Sequence, residues 1–391
     1  MGCCIIGCVY VFLGSEHIVY LDNSATTKPC GKAIEYMNNC LKENWGNPSS
    51  LHSLGMNAEN IVTNARGCIA KSVCAKPDEI IFTSGGTEAN NTAVMSALYR
   101  KNRGNRIITT AIEHPSVLET VKRLETQGFE VIYLNVDKNG VISLEQLKNA
   151  LNSKTLLVSI MLVNNEVGSI QPIAEAVKLT RTLAPNAFFH CDAVQAYGKM
   201  PIDVRKLGVD MLTASGHKVH APKGIGFLYL NSKVHISPFL TGGGQEKGMR
   251  SGTESVPLIA ALHGAVEDFP DLNAQLKTTR ELYNYAKQRL CESGISEINS
   301  CDGGLPFVMN ISVKGYRSET LLHFLEMRDI YVSSGSACSK GNTSYVLKEM
   351  GLDTKSIDSA LRLSFCKHTT KEDIDLLLSA LKDATKQLRK A

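Results

Sequence analysis

The sequence has 391 residues, 43% of them hydrophobic and 20% charged, with a formal net charge of +4, which is the composition of an ordinary globular chain. So small a positive excess over this length argues against a nucleic-acid footprint, and no run of about 18 apolar residues marks a transmembrane helix. The length calls for two domains, or one large α/β domain with a smaller companion.

Residues 1–17, MGCCIIGCVYVFLGSEH, are apolar and cysteine-rich but lack the basic start and small-residue cleavage site of a signal peptide. Gly2-Cys3-Cys4 meets part of a double-acylation motif, with Ile6 standing where Ser or Thr is usual. The segment reads as a disordered extension. From Val19 the pattern becomes that of an ordered chain: VYLDNSATTKP is a short strand and a polar turn, followed by a helix over 33–42 and a loop holding Asn47, Pro48, Ser49, Ser50 and His52. Helical spacing over 56–73 leads to a buried-type strand at 79–83, the turn Ser84-Gly85-Gly86-Thr87 and a helix through Leu98. Strands at 106–112, 130–136, 155–163, 187–193 and 210–215 then alternate with helices over 116–127, 143–151 and 172–183. This alternation predicts βαβ units, hence an α/β fold with a largely parallel sheet covered on both faces. After 257–269 the texture changes to a long helix over 272–293, a strand at 307–313 and helices over 318–328 and 371–389. The expected division is a large α/β domain over 29–269 and a smaller α+β domain made of 18–28 and 270–391.

Twelve cysteines are scattered without a CxxC pair, which points to reduced thiols in a cytoplasmic protein and against both a disulfide framework and a zinc ribbon. Most such thiols are small buried hydrophobes. Four places carry candidate chemistry. In LTASGHKVHAPKGIGFLYL, over 212–230, a strand breaks at Ser215-Gly216, presents His217 and Lys218, turns, and resumes as a second strand. A lysine held between buried strands has the partial desolvation that exposes a usable amine. SGGTEANN, over 84–91, lies between a strand and a helix, where close backbone approach and free N–H groups suit a phosphate, although the Walker and GxGxxG patterns are absent. Asp192 ends an apolar strand, the usual place for ligand contacts in an open parallel sheet, with a helix N-cap as the plainer role. His114 also follows a strand and can stack on a ring or move protons.

A Schiff-base lysine, an acidic partner for a ring nitrogen and a phosphate seat are together what pyridoxal 5'-phosphate requires. With YLDNSATT, NPSSLH, SGGTEANN, EHPSV, NNEVGSIQP, HCDAVQ, SGHKVHAPKGIGFLY, RSGTES and SSGSAC in order from Tyr20 onward, the chain resembles the cysteine desulfurases of aminotransferase class V. That family has pyridoxal phosphate fold type I, whose large domain carries a mostly parallel seven-stranded sheet. The resemblance implies that Lys218 binds the cofactor covalently and moves the substrate α-proton. It further implies that Asp192 pairs with the pyridinium nitrogen, that His114 stacks on the ring and assists proton transfer, and that Gln195 meets the phenolic oxygen. Gly86, Thr87, Ser215 and His217 are implied to hold the phosphate. Thr253 is implied to reach the phosphate of a second subunit, making a homodimer. Asn165 and Arg362 are implied to receive the carboxylate of L-cysteine, which suits the planar fork of arginine. Cys338, in a small polar loop expected to be exposed, is the implied sulfur acceptor: its thiolate attacks the substrate sulfur, keeps it as a persulfide and releases L-alanine, with His114 a candidate proton acceptor. The loop after Cys338 is short and the chain closes soon after its last helix, a departure from relatives dedicated to iron–sulfur scaffolds. The implied protein acceptors are therefore a tRNA thiouridylase or a thiamine-pathway sulfurtransferase as well as an iron–sulfur scaffold. A selenocysteine lyase or other class V lyase, and a non-catalytic sulfur-carrier subunit, remain as alternatives at this stage.

Overall fold

The computed structural model describes residues 18–335 and 343–390. The N-terminal extension and Cys338 lie outside the described residues. Strand β1 (Val19–Tyr20) is followed by the strands of the main sheet: β2 (Ile80–Thr83), β3 (Arg106–Thr110), β4 (Glu130–Leu134), β5 (Thr155–Ser159), β6 (Phe188–Asp192), β7 (Met211–Ser215) and β8 (Gly226–Leu230). They form a seven-stranded sheet in the order β2-β8-β7-β6-β5-β3-β4. Only β8 runs against its neighbours, pairing antiparallel with both β2 and β7, so the mostly parallel sheet foreseen from the alternation is present. Strands β5 and β7 are buried at every position, as a sheet covered on both faces demands. The covering helices are amphipathic. In Ile173–Leu183 the buried residues Ile173, Ala176, Val177 and Thr180 recur at the spacing of one helical face.

Because β8 alone is reversed, the C-terminal ends of β2, β3, β5, β6 and β7 all lie along one edge of the sheet, and the loops leaving that edge converge. Register locks them: Ser159 pairs with His190, Asp192 with Thr213 and Ser215 with Gly226. Beneath this edge His190 is fully buried between Ser159 Oγ and Thr213 Oγ1, at 2.8 and 3.0 Å. Burial pushes its pKa down to about 3, so it is a neutral hydrogen-bonded strut.

Four further strands, β9 (Glu297–Ile298), β10 (Val308–Ser312), β11 (Ile330–Tyr331) and β12 (Ala360–Ser364), complete the described set. The order β12-β10-β9 is antiparallel, and β1 pairs parallel with β11. Helices Leu272–Ser293, Ser318–Glu326 and Lys371–Gln387 close a second apolar core that includes Leu21, Tyr283, Met309, Leu363 and Leu377. After β1 the chain crosses from this core to the main sheet. Ser364 N donates to Leu21 O at 2.6 Å and Ser24 N to Ser364 Oγ at 2.8 Å, while Thr27 N donates to His217 O at 2.8 Å. This strap lays Ser24 and Ala25 over Lys218.

Some elements are shorter than the periodicity suggests. The strand expected over 155–163 ends as a ladder at Ser159, although Ile160 N and Leu162 N still donate to His190 O and Asp192 O, so the apolar run continues as extended backbone beside β6. The helix expected through Leu98 ends at Met95 and tightens into a 3-10 turn. Of the described cysteines, all expected to be buried, Cys74 and Cys291 are exposed, Cys40 and Cys191 are buried, and the others are intermediate. No described helix is long and apolar enough to cross a membrane.

Candidate functional site

A cavity of about 230 Å³ opens at the C-terminal edge of the sheet. Among its walls are Gly86, Thr87, His114, Asn165, Asp192, Gln195, Ser215, His217, Lys218 and Arg362, residues that span most of the chain. Thr253 is exposed and stands outside the cavity.

Lys218 closes the 3-10 turn Gly216–Lys218 that follows β7. Its Nζ donates to the carbonyls of Ser24 and Ala25 at 2.6 and 2.7 Å, so the strap from the N-terminal segment holds the amine at the cavity wall. Asp192, the last residue of β6 and 5% exposed, keeps both oxygens engaged: Oδ1 accepts from Val194 N at 2.9 Å and Oδ2 from Asn90 Nδ2 at 2.7 Å. The same Asn90 amide nitrogen donates to Ser116 Oγ at 2.8 Å. His114 caps helix Pro115–Glu125, its Nδ1 accepting from Ser116 N at 3.1 Å. A backbone N–H can only donate, so Nδ1 carries no proton in this arrangement. Burial pushes the His114 pKa down, opposed by the Asp192 charge and reinforced by Lys218, which favours a neutral ring.

The anion-binding side is built from the turn before helix Gly86–Met95. Gly85 sits at φ +150, and a Cβ on Gly86 would lie 2.9 Å from Val194 Cγ2, so only a bare backbone lets the helix start approach the β6 loop. Thr87, Ser215 and His217 surround that helix start. Burial, with Lys218 and Lys223 nearby, lowers the His217 pKa to about 4, leaving a neutral imidazole whose Nδ1 lies 3.3 Å from Thr26 Oγ1.

Arg362, which also lines the cavity from β12 and is 1% exposed, donates from Nη1 to Asn165 O at 3.1 Å and from Nη2 to Asp22 Oδ1 at 2.8 Å. Its Nε has no partner, nor do the buried side-chain oxygens Ser24 Oγ, Asn90 Oδ1 and Asn165 Oδ1. All four belong to residues lining this cavity. Such a cluster of unsatisfied polar atoms marks a place built to receive a polar ligand.

Several contributors escape the motif reading. Ser24, Ala25 and Asn90 lie inside the quoted stretches NSATT and SGGTEANN without being singled out. Asp22 is separated from Arg362 by 340 residues, and nothing local marks the pairing. Glu113 and Lys199 are buried titratable groups beside the cavity. Burial raises the Glu113 carboxyl to about 8 and lowers the Lys199 amine to about 7. A lone acid next to a histidine and a lysine in a Gly-Lys turn carry no sequence signal of burial.

The sequence matches the aminotransferase class V family over residues 19–377. It is 42% identical over 379 residues to the cysteine desulfurase IscS of Clostridium botulinum, covering 95% of this chain and 95% of that one. The fold superposes on a NifS-like protein with a TM-score of 0.90 at 38% identity, over 95% of this chain and all of the other. It also superposes on SspA in complex with cysteine, with a TM-score of 0.79 at 34% identity, over 90% of this chain and 99% of the other.

Proposed function

The chain belongs to the class V aminotransferases and, among them, to the cysteine desulfurases, and on that footing we propose that its cavity holds pyridoxal 5'-phosphate and passes the sulfur of L-cysteine to Cys338. The observation that carries this reading is the convergence of Lys218, Asp192 and His114 on one cavity that also holds unsatisfied polar atoms. The donor set suits the cofactor. A carboxylate already held by two donors fits a protonated ring nitrogen, a neutral imidazole fits a stacked ring, and the helix start at Gly86 with Thr87, Ser215 and His217 fits a phosphate. When bound, the cofactor serves as an electron sink that makes the substrate Cα proton and its sulfur labile.

The remaining steps fall to the residues of this chain. Lys218 carries the amine that anchors the cofactor and then takes the α-proton, and the Ser24 and Ala25 carbonyls hold its Nζ in place. Arg362, fixed by Asp22, and Asn165 receive the substrate carboxylate. The Cys338 thiolate attacks the cysteine sulfur: the S–S bond forms as the Cβ–S bond breaks, the electron pair left on Cβ takes a proton there, and the α-proton held by Lys218 is returned to Cα, yielding L-alanine. Exposure of Thr253 outside its own cavity supports a homodimer in which it serves the partner's site. The free thiols of the described cysteines support a reducing, cytoplasmic setting. The persulfide then passes to a protein acceptor such as an iron–sulfur scaffold, a tRNA thiouridylase or a thiamine-pathway sulfurtransferase. The proposed domain division is the one expected above, with the Ser24–Thr27 strap joining the two parts.

The test is spectroscopic and chemical. The protein with pyridoxal phosphate shows the yellow band of the lysine-bound cofactor, Lys218→Ala loses it, and Cys338→Ser keeps it while forming no protein persulfide from cysteine. A protein that stays colourless, or a Cys338→Ser variant that desulfurates cysteine at the original rate, overturns the reading.

A further inference from the structure

Behind the cavity wall lies a lysine with no assigned task. Lys199 is 6% exposed, and its Nζ donates to Gln195 Oε1 at 2.9 Å. Gln195 Nε2 in turn donates to Ser24 O at 3.0 Å, and the same carbonyl accepts from Lys218 Nζ at 2.6 Å. Lys199 has no ion pair among the described residues. The titratable groups around it are Lys218, Arg362 and Cys366, and His220, Asp268 and Lys367 share the small cavity behind it. Burying an amine beside two cations is costly, and a methionine would fill the space without that cost. The site thus retains a group that opposes stability. What it gains follows from donor chemistry. In its ammonium form the lysine head can only donate and the carboxamide has one acceptor oxygen, so Oε1 faces Lys199 and the NH2 faces the Ser24 carbonyl.

We propose that Lys199 is a positioning residue for the Lys218 centre, locking the Gln195 carboxamide so that its NH2 presents a donor to the cofactor and to the Ser24 carbonyl that holds Lys218. This rests on the cofactor reading above. Without Lys199 the carboxamide is free to turn, and the donor that stabilises negative charge on the cofactor oxygen is lost along with a nearby cation. Both effects make the lysine-bound cofactor harder to deprotonate.

The readout is the pH midpoint of the cofactor absorbance band in the holoenzyme, which a purely space-filling role would not move. Lys199→Met raises the midpoint by about one pH unit, the ordinary size of an environmental shift, and Lys199→Arg, which keeps the donor, restores it. Lys199→Gln stops one bond short of Gln195 and carries the same expectation as K199M, which covers the case in which the apolar variant does not fold. In a Gln195→Ala background the increment from K199M falls to less than half, because the two residues act in series. An unmoved midpoint in a K199M or K199Q protein that retains the band overturns the proposal, and so does a full-size increment in the Q195A background. A wild-type protein that takes up no cofactor sinks the cofactor reading instead. The assignment is then decided by the K199M apoprotein crystal structure, where Gln195 must shift off the Ser24 carbonyl and an unmoved Gln195 overturns it.

Discussion

Glu113 offers the sharpest test of how the ground under the cavity is held. Its carboxyl is fully buried. Oε1 accepts from Thr110 Oγ1 and from Met161 N, each at 2.8 Å, while Oε2 has no partner. Burial is the main cause that lifts its pKa from 4.5 to about 8; the Asp192 charge adds to the rise, and the Met161 and Thr110 donors oppose it. Between those two values the folded chain keeps a proton that the unfolded chain has released. Stability therefore falls as pH rises across the window, by up to about 1.4 kcal/mol per pH unit from this residue alone. Glu113→Gln keeps an acceptor oxygen for Thr110 and Met161 and has nothing to titrate. Near pH 7.5 the variant is expected to be more stable than the wild type by up to about 4 kcal/mol, and near pH 4.5 the two should be equal. Urea denaturation at matched cofactor loading, repeated across this range, measures the difference directly. Parallel pH profiles for the two proteins would show that Glu113 is ionised in the fold and that the reasoning fails.

Other expectations follow from the same geometry. Arg362→Ala should raise the KM for cysteine by roughly 10-fold or more, the scale of a lost charge-assisted hydrogen bond, with the cofactor band intact; steady-state kinetics reads it. Asp22→Asn should give a smaller rise in KM, because Arg362 keeps its contact to Asn165 O but loses its ion pair. Gly86→Ala should destabilise by about 1–3 kcal/mol through overpacking against Val194, and Val194→Ala should recover much of that loss in a double-mutant denaturation series. Asn90→Ala removes the donor to Asp192 Oδ2 and should weaken pyridoxal phosphate retention, measured by equilibrium dialysis, without changing the fold seen by circular dichroism.

The linear chain by itself determined the class of fold and the strand ends that carry Asp192, Lys218 and the Gly86 turn. Alternation and burial are local properties: five residues such as Thr155–Ser159 declare a fully buried strand by their own side chains. A loop after such a strand also declares where a functional group can emerge. Tertiary structure alone decided what those groups touch. Asp22 meets Arg362, Ser24 lies over Lys218, and the antiparallel β8 is inserted between β2 and β7. Each depends on a chain crossing whose free energy comes from packing between distant segments and leaves no mark on local periodicity. Burial of Glu113 and Lys199 belongs with these. A pKa is set by what surrounds a group in space: Thr110 and Gln195 are local partners, but Met161 and Asp192 around Glu113, and Lys218, Arg362 and Cys366 around Lys199, come from other strands and loops.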